Sequence, residues 1–557
     1  MHVLYWIGAD TNSKDAIASR KITEKGWDKV NKKPCSIFNE VFGPIMIGPS
    51  SSHTAGPARI GKLANMLLDD EIEEIEIKFD RNGSYAATYI AQGSNYGFVG
   101  GILGIDISDE RIKQSLKTAE EKNVKVDFII ESIEGDIHPN FARINLKGKS
   151  GKTISIETAS TGGGMFEITK YAAYPVSLKG DCIEVLVVTE EIETLEEIKA
   201  LLEKSKIDFE ARIEKSQENN TYLINIKLDT EISHDTLRQF KDLPGVILVK
   251  YIKPVLPVVK RTVCKVPFIN AAEALEYSKS KNCTLWELAC NYEEAISGKS
   301  RVEIIEMMVN IIRVMRASAV KAIEGNFEKR GFLASKAGTI DSNMKKENAK
   351  MINMGMLNQV MVWATGVMEY DICRGKVVAA PTGGSCGVLP GAIVAVGDQM
   401  GLSDVDIAKA MLASGIIGVF IDHQATFAAE VCGCQAENGA ASSMAAAGAV
   451  QLLGGSVEEG FSAASLALQN ILGLICDPVA GVGNVPCVGR NSMAAVNGIL
   501  AANMVLNGFD PFIPLDETIK AMMDVGLLMP REFRCTGLGG LCITKSAKRV
   551  EKELCLG

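Results

Sequence analysis

The chain has 557 residues, 47% of them apolar and 23% charged, with a formal net charge of −9 at neutral pH. A single hydrophobic core stops growing near roughly 250 to 300 residues, so a chain of this length divides into three domains or more. The composition excludes intrinsic disorder. The acidic balance offers no basic footprint for nucleic acid, and no stretch reaches the roughly 18 uninterrupted apolar residues of a membrane span, which leaves small molecules as the expected partners and the cytoplasm as the expected setting.

Residues 1–33 form an N-terminal extension whose apolar start, Met1 to Ala9, soon turns charged and lacks the pattern of a secretion signal. Over 34–178, runs such as Ile75 to Phe79 and Val126 to Ile130 alternate with helical stretches, which predicts a front domain of mixed α/β type. Residues 179–254 predict a βαββαβ order: strand Ile183 to Val188, helix Leu195 to Lys204, strands Phe209 to Ile213 and Tyr222 to Lys227, a helix at His234 to Phe240, and strand Gly245 to Tyr251. This order resembles an ACT domain. Pro254 and Pro257 cannot donate to a strand ladder and open a linker over 255–267. Residues 268–557 are rich in Ala, Gly, Met and Leu at helical spacing and predict an all-helical domain. Its segment Ile407 to Phe420 reads as a buried helix, and Ala440 to Leu453 as a helix packed tightly through small residues. The fold class is therefore multidomain α+β.

Nine of the fourteen cysteines fall after residue 370. A chain this large needs no disulfide staples, so reduced thiols, some of them metal ligands, explain the clustering better. Cys434, Cys476 and Cys487 each have Gly or Pro close by, as expected of turns where ligands converge. Their spacings match no ferredoxin or zinc-ribbon pattern, so on spacing alone they serve equally as buried structural cysteines. Near the front, Gly48-Pro49-Ser50-Ser51-Ser52-His53-Thr54-Ala55-Gly56-Pro57 is a hydroxyl-rich turn leading into a helix. Such a turn offers N–H groups and hydroxyls to a carboxylate, and His53 can move a proton; the plainer alternative is a Ser/Thr helix cap.

Taken with Ala380-Pro381-Thr382-Gly383-Gly384-Ser385-Cys386-Gly387, these segments resemble the iron-sulfur L-serine dehydratases in their fully fused arrangement, over roughly residues 35 to 555. The resemblance implies a 4Fe-4S cluster held by Cys434, Cys476 and Cys487, with one iron open to act as a Lewis acid, and no pyridoxal phosphate. It gives Ser50, Ser51, Ser52, His53 and Thr54 as catalytic, substrate-facing residues. It gives Thr382, Gly383, Gly384 and Ser385 as a substrate loop, with Gln92 and Asn95 in a further substrate segment. The implied reaction dehydrates L-serine to pyruvate and ammonia in a homodimer whose ACT-like domain takes an amino-acid effector.

The chain departs from the family pattern at two places. Ala91-Gln92-Gly93-Ser94-Asn95 stands where the family has a run containing histidine, and an amide cannot titrate; Glu369-Tyr370-Asp371-Ile372-Cys373 replaces small residues before the Gly-rich loop. His423 is a second proton carrier if its helix faces the cluster, and His138 reads as structural. Cys555, near the C-terminus, is a candidate to swing onto the open iron, whereas Cys535 and Cys542 read as parts of a packed turn away from it. The alternative functions are a related lyase, such as an L-cysteine desulfidase or a dehydratase of a larger β-hydroxy amino acid, and a non-catalytic cluster-bearing sensor.

Overall fold

A computed structural model describes residues 34–554 apart from 136, 217, 262, 263, 331 and 484, so the N-terminal extension and Cys555 lie outside the described residues. The chain enters through a helical turn, Ile37–Val41, and a three-residue strand, β1 (Ile45–Ile47). A sheet follows, built from β2 (Ile72–Asp80), β3 (Lys125–Glu131), β4 (Phe141–Gly148), β5 (Thr153–Gly162), β6 (Met165–Tyr171) and β7 (Tyr174–Leu178), in the order β3-β2-β4-β5-β6-β7. Only β2 and β3 run parallel. In β2 the alternation of Ile75, Ile77 and Phe79 with charged residues buries one face. The Gly56–Leu68 helix adds Ile60, Leu63 and Leu67 to that core.

The next strands are β8 (Ile183–Thr189), β9 (Phe209–Lys215), β10 (Tyr222–Leu228) and β11 (Val246–Ile252), with helices Thr194–Lys204 and His234–Lys241 between them. They form the predicted βαββαβ order and pair as β11-β8-β10-β9, every neighbour antiparallel. β8 is buried along its whole length because both its faces are covered: Leu186 and Val188 join the front core, while Ile183, Val185 and Val187 join the core of this unit.

The C-terminal part is helical, as the composition predicts, and its longest buried elements are Asp404–Gln424 and Asn438–Leu452. Ile407 to Ile421 of the first are buried apart from Lys409, yet among the described residues no helix is long and apolar enough to cross a membrane. Two features correct the division made from sequence. The first is a strand, β12 (Lys376–Val378), which lies in the otherwise helical part and pairs antiparallel with β1. Three residues carry no legible period, and a strand this short forms only because its partner comes from the front of the chain. The second is that Cys35, Ile37, Phe38, Val41 and Phe42 belong to the helical core. Gly415 and Gly418 admit them: a Cβ on Gly418 would lie 2.2 Å from Val41 Cγ1, and one on Gly415 2.9 Å from Ile37 Cγ2.

Candidate active site

The β1–β12 pair sets the front hydroxyl turn beside the Gly-rich loop. Ser50 caps the turn by accepting a hydrogen bond from the His53 amide at 3.1 Å, and Ser51–Ala55 run straight into the Gly56–Leu68 helix. Ser51 Oγ accepts from the amide of Gly383 at 3.0 Å, which ties the two motifs directly. The loop is held from its other side by Asn491, whose Oδ1 accepts from the Gly387 amide at 2.9 Å and whose Nδ2 donates to the Gly384 carbonyl at 2.7 Å. Asn491 lies one turn into the Cys487–Leu506 helix, so the loop is fixed to the element that begins with Cys487.

The three thiols singled out in the sequence come together. Ligand atoms of Cys434, Glu437 and Cys476 all lie within 4.8 Å of one another. Cys476 and Cys487 line one small cavity of about 70 Å³. Hydrogen bonding with Cys434 first, then with Cys535, then burial, holds the Cys476 thiol well above its ordinary pKa; burial and then Cys434 do the same for Cys487. The crowding that raises Cys476 and Cys487 is relieved by a cation, because metal binding takes the thiolates and releases their protons. Arg490 adds fixed positive charge: it donates to Cys434 Sγ at 3.6 Å and pairs with Asp477 at 2.9 Å.

Cys535 corrects the sequence reading. It is not in a turn remote from these thiols but lies against Cys476 and lines the same cavity. Backbone pairing puts it there: the Cys476 amide donates to the Phe533 carbonyl at 2.8 Å, and the Cys535 amide donates to the Cys476 carbonyl at 3.0 Å. Cys542 does stay in a packed turn, donating its thiol to the Pro478 carbonyl at 3.1 Å.

His53 is fully buried, and both its ring nitrogens are engaged inside the wall. Nδ1 faces Ser50 Oγ at 3.4 Å and Glu430 Oε1 at 3.4 Å, and Nε2 faces Ser84 Oγ at 3.2 Å. Burial pushes its pKa down, and Glu430 opposes that shift. The cavity itself is lined by Ser50, Ser52, Gln92, Gly384, Glu430 and Glu437 as its polar groups, with Met368, Ile372, Pro478 and Val482 as apolar wall. The Gln92 side chain donates to Cys535 Sγ at 3.8 Å, and its backbone carbonyl accepts from the Thr54 hydroxyl at 2.7 Å. Thr382 donates to Glu437 at 2.7 Å and meets Ser385 at 3.1 Å, so these two hydroxyls brace the loop from behind. Asn95 turns away, its Oδ1 accepting from the Tyr96 amide at 2.8 Å, and His423 is not among the lining residues.

Sequence reasoning assigned no role to Glu430, Glu437 or Arg490. Glu437 and Arg490 each follow a candidate ligand cysteine by three residues, a spacing that could have flagged them, but nothing in sequence pointed to Glu430. Burial and then Glu430 push Glu437 up to about 7, against the hydrogen bond from Thr382.

A buried cavity of this size, rimmed by thiols, two carboxylates and hydroxyls, is far below the roughly 300 to 1,000 Å³ of drug-sized ligand sites and suits a molecule of a few heavy atoms. Its convergent reactive groups are those of an enzyme. Residues 280–542 match the family described as serine dehydratase alpha chain. The chain is 34% identical over 287 residues to the probable L-serine dehydratase alpha chain of Bacillus subtilis, covering 52% of this chain and 95% of that one. It is 35% identical over 295 residues to the L-serine dehydratase alpha chain of Peptoniphilus asaccharolyticus, covering 51% and 97%. With L-serine dehydratase 1 of Escherichia coli it shares 35% over 287 residues, covering 50% and 62%. The chain belongs to the serine dehydratase alpha-chain family, a family of iron-sulfur lyases.

Proposed function

We propose that the chain is an L-serine ammonia-lyase that converts L-serine to pyruvate and ammonia. The observation that carries this reading is the convergence of Cys476 and Cys487 with Ser50 and Ser52 on one small cavity, with the Cys434 thiol within 4.8 Å of Cys476. The donor set fits an iron-sulfur cluster: soft thiols gathered in a buried pocket, with Arg490 to offset the charge of their thiolates. Cys434, Cys476 and Cys487 would hold a 4Fe-4S cluster, which supplies Lewis acidity toward the substrate hydroxyl when bound.

The protein does the rest. Ser50, Ser52 and Gln92 present hydrogen-bonding groups to the amino acid, and the backbone turn behind them suits its carboxylate. Met368, Ile372 and Val482 form a dry wall that strengthens every polar contact inside the cavity. A base on the wall removes the Cα proton as the hydroxyl departs, and the aminoacrylate so formed tautomerises and hydrolyses to pyruvate.

The β8–β11 unit has the strand order of an ACT-like module, and on this reading residues 179–254 serve homodimer formation and binding of an amino-acid effector. Residues 34–178 and 268–557 are then the two catalytic parts, joined by 255–267.

The test is to purify the chain without air and measure pyruvate and ammonia released from L-serine, with iron content and the visible spectrum taken on the same sample. Brown protein whose activity is lost in air supports the reading, and colourless protein active on L-serine sinks the cluster. Gln92 on the cavity wall favours including L-cysteine and L-threonine in the substrate panel.

A further inference from the structure

We propose that Glu430 is the group that removes the substrate's Cα proton, and that His53 acts behind it as a positioning residue. The inference rests on the ammonia-lyase reading and deepens it.

Geometry separates the two candidates. His53 is closed off: it is 0% exposed, both ring nitrogens face wall groups, and the Tyr85 ring packs edge-on against it at 5.1 Å. Glu430 lines the cavity. Its Oε1 is taken by His53 at 3.4 Å, while its Oε2 is buried and accepts no hydrogen bond among the described residues. A buried carboxylate oxygen without a donor is costly, on the order of 1–3 kcal/mol, and such an atom at a ligand cavity marks a place where a donor or proton arrives from the ligand.

Four titratable side chains face Glu430. His53 and His138 both interact favourably with a negative Glu430, and each has its own pKa pushed down by burial and partly restored by Glu430. Tyr85 and Glu437 also face it. Glu430 sits in the helical turn Ala429–Cys432, just ahead of Cys434, so its distance from the thiol group is fixed by a few backbone bonds. His53, tied to Ser84, holds Oε1 and leaves Oε2 without a donor among the described residues. This is the relation of an orienting imidazole to a base.

The step balances without a further reagent. The Cα–H bond breaks and its proton passes to Glu430 Oε2. The electron pair forms the Cα=Cβ bond and the Cβ–O bond breaks. The departing hydroxide regains the proton as water, and Glu430 returns to its starting charge.

The test uses the full chain, loaded with iron without air. Glu430→Gln keeps the side chain's shape and removes its basicity. The expected variant has parental iron content and spectrum, a KM for L-serine within about threefold of the parent, and a kcat lower by roughly 10²- to 10⁴-fold. Its isotope effect with α-deuterated L-serine should rise above the parent's, since proton removal now limits the rate. Glu430→Asp should recover part of kcat with the isotope effect still raised, and His53→Asn should cost about tenfold. A Glu430→Gln enzyme with near-parental kcat, or a His53→Asn enzyme slower than it, overturns the proposal. So does a slow Glu430→Asp enzyme with an unchanged isotope effect, which would make Glu430 a scaffold residue. An iron-loaded parent that releases no pyruvate from L-serine would instead sink the ammonia-lyase reading.

Discussion

Cys535 is anchored to Cys476 through the backbone, the amide of each segment reaching a carbonyl of the other at 2.8 and 3.0 Å, so a thiol close to the C-terminal end is delivered to a centre whose other thiols lie earlier in the chain. Its side chain is then held between Cys476 and the amide of Gln92 from the front domain. The centre is thereby made from both ends of the fold.

Serine substitutions should divide these cysteines into classes. Cys434→Ser, Cys476→Ser and Cys487→Ser are each expected to lose most of the iron, because a hard hydroxyl replaces a soft ligand. Cys535→Ser should retain iron with an altered electron paramagnetic resonance spectrum, and Cys542→Ser should leave the spectrum unchanged and lower only thermal stability. Iron analysis and spectroscopy on the five variants decide this.

Asn491 fastens the Gly-rich loop to the helix beginning at Cys487, with hydrogen bonds of 2.9 and 2.7 Å to Gly387 and Gly384 and a third of 2.9 Å to the Cys487 carbonyl of its own helix. Asn491→Ala leaves buried backbone groups without partners, which costs roughly 1–3 kcal/mol. Because Gly384 lines the cavity, KM for L-serine should rise as well. Denaturant unfolding and steady-state kinetics read the two effects separately.

Glycine inside a helix is ordinarily a weakness that alanine corrects by about 0.5–1 kcal/mol. At Gly418 the sign should reverse, because the added Cβ would sit 2.2 Å from Val41 Cγ1. Gly418→Ala is expected to destabilise by about 1–3 kcal/mol, the range for overpacking, and a lower thermal midpoint would register it.

Burial pushes the Glu293 carboxyl up to about 8, although Ser36 Oγ at 2.6 Å and the Ile37 amide at 2.7 Å donate to it. Its folded pKa therefore exceeds the ordinary glutamate value of 4.5, and folding favours the protonated form. The stabilisation is complete below pH 4.5 and is lost as pH rises through about 8, at up to about 1.4 kcal/mol per pH unit. Glu293→Gln can accept from Ile37 and donate to Ser36 without a charge to bury. Its stability relative to the parent should grow steadily across that window, as thermal midpoints at several pH values would record.

The β8–β11 unit was legible because each of its elements announces itself locally, by β-branched runs for the strands and by apolar spacing of three and four for the helices. The buried helices Asp404–Gln424 and Asn438–Leu452 were legible for another reason, a long run of almost wholly apolar or small residues. The front turn and the three thiols stood out as unusual local compositions, Ser50 to Thr54 and the Gly- or Pro-flanked Cys434, Cys476 and Cys487. Glu430 did not, since one glutamate in an apolar run has no local signature.

Taken alone, the sequence determined the element types, the βαββαβ order and the chemistry available, because periodicity and residue type are properties of neighbours along the chain. Only the tertiary structure decided that β1 pairs with β12, that Cys535 joins Cys476, and that His53 lies behind Glu430 rather than at the cavity. Those relations depend on which buried surfaces meet and which polar groups must find partners once water is excluded, and that is settled by packing between distant segments.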